Sequence, residues 1–223
     1  STLLASSAAS DVYKRQVVTT MTMFTGCGGA GSTSASTKSI TIQGGNTEGD
    51  LDPAGVALGM FIQYSRLCLE LLVTYDSDGK VSKAMAESYE ESSDGLTWTF
   101  HLRKDAKWSD GSAVTSADFV NTIKRSLDGK TSKSIYADML SPIVGATEAY
   151  AGTASVDNVG VTAPDDYTIE FKLVTPCSYF LKLIAMQCCY PSKAGIATNE
   201  NETWYTDPKT NLANGAFYMT EYV

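Results

Sequence analysis

Histidine is almost missing from this chain: 223 residues contain one, His101. A serine or cysteine nucleophile needs a base beside it, and the only histidine falls on the polar side of a strand pattern, so hydrolytic chemistry has little to work with. The five cysteines contain no C-x-x-C spacing, the usual sequence mark of a zinc site. Cys188 and Cys189 are adjacent and follow an apolar stretch, and they read first as buried thiols. A disulfide from Cys177 to either of them stays open, because spacing does not set connectivity. Basic residues are outnumbered 17 to 25, giving a net charge of −8, and no basic stripe exists for nucleic acid. No run of eighteen apolar residues occurs, so nothing reads as a membrane span. The glycine-rich GCGGAGS at 26–32 lacks the Gly-Lys-Ser/Thr of a phosphate loop. Asp94, Asp110, Asp118, Asp165 and Asp166 sit in turn and cap positions rather than as paired catalytic carboxylates. Neither an enzyme nor a cofactor is expected.

What is present is a globular composition, 43% apolar and 10% aromatic, and one highly ordered stretch from Leu71 to Val120. Leu96, Trp98, Phe100 and Leu102 alternate with Thr97, Thr99, His101 and Arg103, which predicts a strand buried on one face. Ser93-Asp94-Gly95 and Ser109-Asp110-Gly111 bracket it as turns. Thr115 stands three residues before Asp118, a capping-box spacing with Asp in place of Glu. The helix that follows carries Phe119, Val120, Ile123 and Leu127 on one stripe. Trp98 and Trp108 read as core.

The remaining pattern predicts a strand over 39–43 and a helix over 60–72 with Met60, Phe61, Tyr64, Leu67, Cys68, Leu71 and Leu72 on its apolar face. It further predicts a hairpin turn at Asp78-Gly79, a partly helical 84–89, and two short helices within 132–150 broken near Pro142. After the turn Pro164-Asp165-Asp166, Tyr167, Ile169, Phe171 and Leu173 alternate as a second strand. Residues 178–187 read as helix, 199–214 as turn-rich, and a last strand begins at Ala216.

Ser6 to Gln16, SSAASDVYKRQ, resembles the in-frame translation of a sequencing adapter, so residues 1–16 are expected to stand outside the fold. Residues 17–27 then resemble the tail of a bacterial lipoprotein signal, ending in a lipobox with Cys27 as the lipidated residue. Residues 28–38, rich in Gly and Ser, form a flexible linker.

The blocks Leu51-Asp52-Pro53, ELLVTYDSDGK (70–80), AMAESYEESSDGLTWTFHLRKDAKWSDGSAVTSADF (84–119), VTAPDDYTIEFKL (161–173) and NGAFYMTEYV (214–223) occur in this order. Together they resemble the N-terminal part of family 5 extracellular solute-binding proteins, the receptors of oligopeptide and dipeptide ABC importers. The resemblance implies an α/β, periplasmic-binding-protein-like fold of the two-lobed type II. Residues 39–60 and 175–223 would belong to the first lobe, 61–174 to a small α/β domain inserted into it, and the second lobe would lie beyond this chain.

The resemblance also implies a function. A lipid-anchored receptor at the outer face of the membrane would capture a peptide between its lobes and deliver it to a permease and ATPase complex. The family holds the peptide main chain by strand-like hydrogen bonds. That places Asn46, Thr47, Glu48 and Gly49 along the cleft, mostly through backbone, with Tyr136 near its mouth. The same scaffold serves nickel chelates, haem, sugars and signalling peptides, so a non-peptide ligand is the alternative.

Overall fold

A computed structural model describes residues 2–5, 39–41, 51–55, 60–132, 134–201 and 203–221. Its strands in chain order are β1 (Thr2–Ala5), β2 (Ser39–Thr41), β3 (Val73–Tyr75), β4 (Val81–Lys83), β5 (Ala86–Glu91), β6 (Thr97–Leu102), β7 (Val161–Asp165), β8 (Thr168–Lys172) and β9 (Phe217–Glu221), and its centre is a four-stranded antiparallel sheet in the order β5-β6-β8-β7. The two alternating segments are thus direct neighbours, with Trp98 opposite Phe171 and Phe100 opposite Ile169. Period-2 alternation puts Trp98, Phe100 and Leu102 on the buried face, while Thr97, Thr99 and His101 stay half-buried on the other.

The buried face is closed by aromatic contacts. Phe100 meets Phe171 edge-on at 5.6 Å, Phe171 meets Phe180 at 5.2 Å, and Trp98 lies 5.7 Å from Phe180. These separations suit the edge-to-face preference of ring quadrupoles. Phe180 belongs to a short helix, Phe180–Ile184, which the expected division at 174/175 assigns to the first lobe. Its side chain nevertheless shares one hydrophobic cluster with the sheet, as do Ile184, Cys188 and Cys189.

The helix Ser116–Leu127 covers the β7–β8 side and buries Phe119, Ile123 and Leu127. It starts where the capping box predicts: the Asp118 carboxylate accepts the Thr115 backbone N–H at 2.9 Å. Asp118 does more than cap. It accepts the Trp108 indole N–H at 2.9 Å and the Ala194 backbone N–H at 2.9 Å, so one buried carboxylate fixes a loop, a helix start and a distant segment.

Four expectations need correction. The segment 84–89, expected to be partly helical, enters β5, because pairing with β6 outweighs the helix propensity of Ala and Glu. Pro164 belongs to β7 rather than only to a turn; β7 is an edge strand, where a residue without N–H costs no ladder bond. The first helix spans Met60–Cys68 and stops before Leu71 and Leu72. Asn214 ends it, accepting the Glu70 N–H at 2.9 Å and donating to the Glu70 carbonyl at 3.0 Å. Finally, residues 1–16 do not all stand outside the fold. Thr2–Ala5 forms a strand between Ser39–Thr41 and Phe217–Glu221, where its backbone satisfies both neighbouring edges.

Other expectations hold. Asp78-Gly79 turns the hairpin of Val73–Tyr75 with Val81–Lys83, and Gly79 takes φ 73°. The region around Pro142 carries a 3₁₀ turn at Ala137–Leu140 and a helix at Ala146–Tyr150. Trp98 and Trp108 are buried in the core.

Candidate functional site

The expected ligand contacts Asn46, Thr47, Glu48 and Gly49 lie outside the described residues, as does Cys27. The chain is described again from Leu51, and the five residues 51–55 are all buried. What holds them is a polar hub. The Arg125 guanidinium, on the helix Ser116–Leu127, donates from Nη1 to Asp52 Oδ1 at 3.2 Å and from Nη2 to Oδ2. Asp52 Oδ1 also accepts the Ala54 N–H at 2.9 Å, closing an Asx turn through Pro53. Arg125 Nε donates to Asn199 Oδ1 at 3.2 Å, and Nη1 reaches Ser192 Oγ at 3.4 Å.

The hub extends outward from there. Ser192 and Thr122 share a 2.6 Å hydroxyl contact, and Asn199 donates to Thr131 at 2.6 Å. The guanidinium face lies 5.9 Å from the Trp204 ring. A fork with five donors, held by a bidentate carboxylate and side-chain acceptors, has little rotational freedom left. Three stretches distant in sequence, 51–55, 122–131 and 192–204, are therefore pinned at one point.

Beside this hub lies a cavity of about 310 Å³, lined among others by Asp52, Arg125, Thr131, Asn199, Asn201 and Tyr205. Its walls offer hydroxyl and amide donors and acceptors around a neutralised ion pair. Such a surface can hydrogen-bond uncharged polar groups of a ligand, including peptide main chain.

Tyr136 stands apart from these residues. It is half-buried, precedes the 3₁₀ turn Ala137–Leu140 and packs on the core; its carbonyl lies 4.0 Å from Cys188 Sγ. His101 has Glu90 Oε1 at 3.9 Å and Thr168 Oγ1 at 3.5 Å, a surface strand setting. Cys68, Cys177, Cys188 and Cys189 are all buried free thiols, so the open disulfide from Cys177 is not formed. Burial pushes the Cys68 thiol up to about 12. The neighbouring Cys188 side chain, followed by burial, raises Cys189.

Sequence reasoning quoted Asp52 only as part of a motif and passed over Arg125, Asn199 and Ser192. One signal was available. Arg125 falls on the buried side of a helix between Ile123 and Leu127, and a buried guanidinium demands an acid.

Comparison with known proteins agrees with this architecture. Residues 80–223 match the family model described as Bacterial extracellular solute-binding proteins, family 5 Middle. The periplasmic oligopeptide-binding protein OppA of Escherichia coli (strain K12) is 37% identical over 196 residues, covering 87% of this chain and 36% of that protein. The dipeptide-binding protein DppE of Bacillus subtilis (strain 168) is 36% identical over 155 residues, 69% of this chain and 28% of that one. Among solved structures, Listeria monocytogenes OppA bound to peptide superposes with a TM-score of 0.72 at 29% identity, over 78% of this chain and 34% of that chain. The substrate-binding domain of an oligopeptide ABC transporter from Bacillus anthracis gives 0.72 at 35% identity, over 78% and 33%. The chain thus spans about a third of the length of these relatives, and the fold is α/β, of the two-lobed type II periplasmic-binding-protein kind. On the family match and these likenesses together, the chain belongs to the bacterial extracellular solute-binding proteins of family 5.

Proposed function

We propose that the protein carrying this region is a peptide receptor that works outside the cytoplasmic membrane. It captures oligopeptides or dipeptides and hands them to an ABC permease and its ATPase. The observation that carries this reading is the concordance of relatives: proteins similar at 36–37% identity are named for oligopeptide or dipeptide binding, and a similar solved structure has a peptide bound.

The rigid Asp52–Arg125 hub suits that role. It anchors the segment that follows Asn46, Thr47, Glu48 and Gly49, the stretch that would meet the peptide main chain, and Tyr136 would stand at the cleft mouth. Main-chain recognition needs fixed backbone donors and acceptors more than side-chain chemistry. Residues 17–27 would deliver the protein as a lipoprotein anchored through Cys27, with 28–38 as its tether and 61–174 as the inserted domain. Stable anchoring takes more than one acyl chain, which a diacylated cysteine would supply.

The test is calorimetric titration of the protein, together with the two-thirds of family length beyond this region, against tri- and tetrapeptides of random sequence. Sub-micromolar binding that tolerates side-chain changes but is lost on N-methylation of the peptide backbone supports the proposal. A relative named as a probable deoxycholate-binding periplasmic protein is 34% identical over 177 residues. Binding of a bile acid with no response to peptides would therefore replace the peptide reading with the non-peptide one.

A further inference from the structure

Of the chain's seven asparagines one, Asn214, is followed by glycine. Asparagine is among the thermally labile residues, and a glycine after it leaves the following backbone nitrogen least hindered, because no Cβ stands beside it. The fold places this step at a junction. Asn214 is buried, and its side-chain amide bonds both main-chain groups of Glu70. Its Oδ1 accepts the Glu70 N–H at 2.9 Å, and its Nδ2 donates to the Glu70 carbonyl at 3.0 Å. Gly215 adds a third bond, from its N–H to the Cys68 carbonyl at 2.8 Å. The three together clasp the end of the helix Met60–Cys68 to the entry of β9.

Both residue types are demanded here. A side chain that accepts from one group of Glu70 and donates to the other must carry an acceptor and a donor, which a carboxylate does not. At position 215 a Cβ would fall 2.7 Å from the Cys68 carbonyl carbon and 3.0 Å from the Leu69 nitrogen, so nothing larger than glycine fits without a shift of backbone. The same clasp shields the pair it requires. While it is closed, the Gly215 N–H is engaged by Cys68 and both ends of the Asn214 amide are held by Glu70.

We propose that Asn214-Gly215 is a latent deamidation site, which reacts only when this clasp opens and whose products cannot close it again. In the open form the Gly215 nitrogen gives its proton to hydroxide and attacks Asn214 Cγ. An N–Cγ bond forms, the Cγ–Nδ2 bond breaks, and ammonia leaves with a proton taken from water. A second water then opens the succinimide at either carbonyl, giving aspartate or isoaspartate. Aspartate sets a second oxygen against the Glu70 carbonyl, two acceptors with no hydrogen between them in a buried place. Isoaspartate lengthens the main chain by one methylene and draws the Gly215 N–H off Cys68. Either product frees the helix end from β9, irreversibly and with water as the only co-reactant. None of this depends on the peptide-receptor reading.

The experiment incubates the chain in mildly alkaline buffer, folded and in parallel unfolded in guanidinium, and follows conversion at Asn214 by peptide mapping with mass spectrometry. Conversion in the folded chain is expected to be at least about a hundredfold slower, set by the fraction of time the clasp is open. Tyr64→Phe removes the 2.6 Å bond from the helix to Asn211 without touching the reacting pair. It should speed conversion severalfold in the folded chain and leave the unfolded rate alone. Amide hydrogen exchange at Glu70 and Gly215 should rise by the same factor, while exchange at Phe100 in β6 stays unchanged. Converted protein, separated from its parent by charge, should melt at a lower temperature. Equal rates in the folded and unfolded chain overturn the proposal, as does a folded-chain rate that Tyr64→Phe leaves unchanged. A rise in exchange at Phe100 equal to that at Glu70 overturns it too, because the gate is then global unfolding. A converted protein as stable as its parent overturns the claim that the clasp cannot reclose.

Discussion

Arg125 and Asp52, 73 positions apart, form a bidentate ion pair in which both side chains are largely buried, with 9% and 12% of their surface exposed. Removing one partner leaves a charge in the interior with nothing to balance it. Arg125→Met and Asp52→Ala are each expected to lower unfolding free energy by about 3–5 kcal/mol. The double variant should lose much less than the sum, because neither charge is then stranded. Urea unfolding of the four proteins checks this, and additive losses would show that the pair does not act as a unit. If the proposed cleft reading holds, a chain with the reversed pair, Asp52→Arg with Arg125→Asp, should regain part of the stability but not peptide affinity.

Much of residues 61–174 was legible because its elements obey simple periods. The strand at Trp98–Phe100–Leu102, its partner at Ile169–Phe171 and the capped helix after Thr115 all follow from local pattern. What escaped depended on distant partners. Strand β5 carries helix-favouring residues and becomes extended only because β6 lies beside it. The first helix stops short because Asn214, 144 positions after Glu70, binds its end. Asp118 was legible as a cap, but its bonds to Trp108 and Ala194 were not. The hub was half-legible: the acid sat in a quoted motif, while the arginine waiting for it was hidden in a helix stripe.

The Asn214-Gly215 step makes a sharp steric prediction. Gly215 donates its N–H to the Cys68 carbonyl at 2.8 Å. A Cβ on Gly215 would fall 2.7 Å from the Cys68 carbonyl carbon and 2.9 Å from its oxygen, both backbone atoms that cannot swing away. Gly215→Ala is therefore expected to cost about 1–3 kcal/mol through overpacking. Asn214→Ala, which strands the Glu70 N–H and carbonyl, should cost a comparable amount. Thermal unfolding of both variants tests this; a Gly215→Ala protein as stable as its parent would mean the helix end yields more easily than its geometry indicates.

Glu70 supplies a pH dependence whose sign separates two accounts. Were it an ordinary ion-paired carboxylate, its acidity would be strengthened and its contribution would grow as pH rises. Burial instead raises its folded-state pKa above the unfolded value, outweighing Arg103. The fold then binds the proton more tightly than the unfolded chain does. The stability this group contributes is complete below the unfolded value near 4.5 and is lost as pH rises through the higher folded value. The stability difference between the parent and Glu70→Gln should accordingly favour the parent more at pH 4 than at pH 7. Denaturant titrations at the two pH values decide the matter, and the opposite trend would restore the ion-pair account.

The four buried cysteines predict a chemical silence. Cys68 and Cys188 have no exposed surface, Cys189 has 2% and Cys177 has 5%. With its thiol pushed up to about 12, Cys68 at pH 8 holds roughly one thiolate in ten thousand, and the thiolate is the reactive form. A Cys27→Ser variant removes the remaining cysteine from the count. That protein should show no stoichiometric reaction with a disulfide reagent while folded, and four equivalents once guanidinium unfolds it. Two equivalents in the unfolded, unreduced protein would reveal a disulfide that the free-thiol arrangement denies. Fast reaction in the folded state would show that the core opens around the Cys188-Cys189 step far more often than complete burial implies.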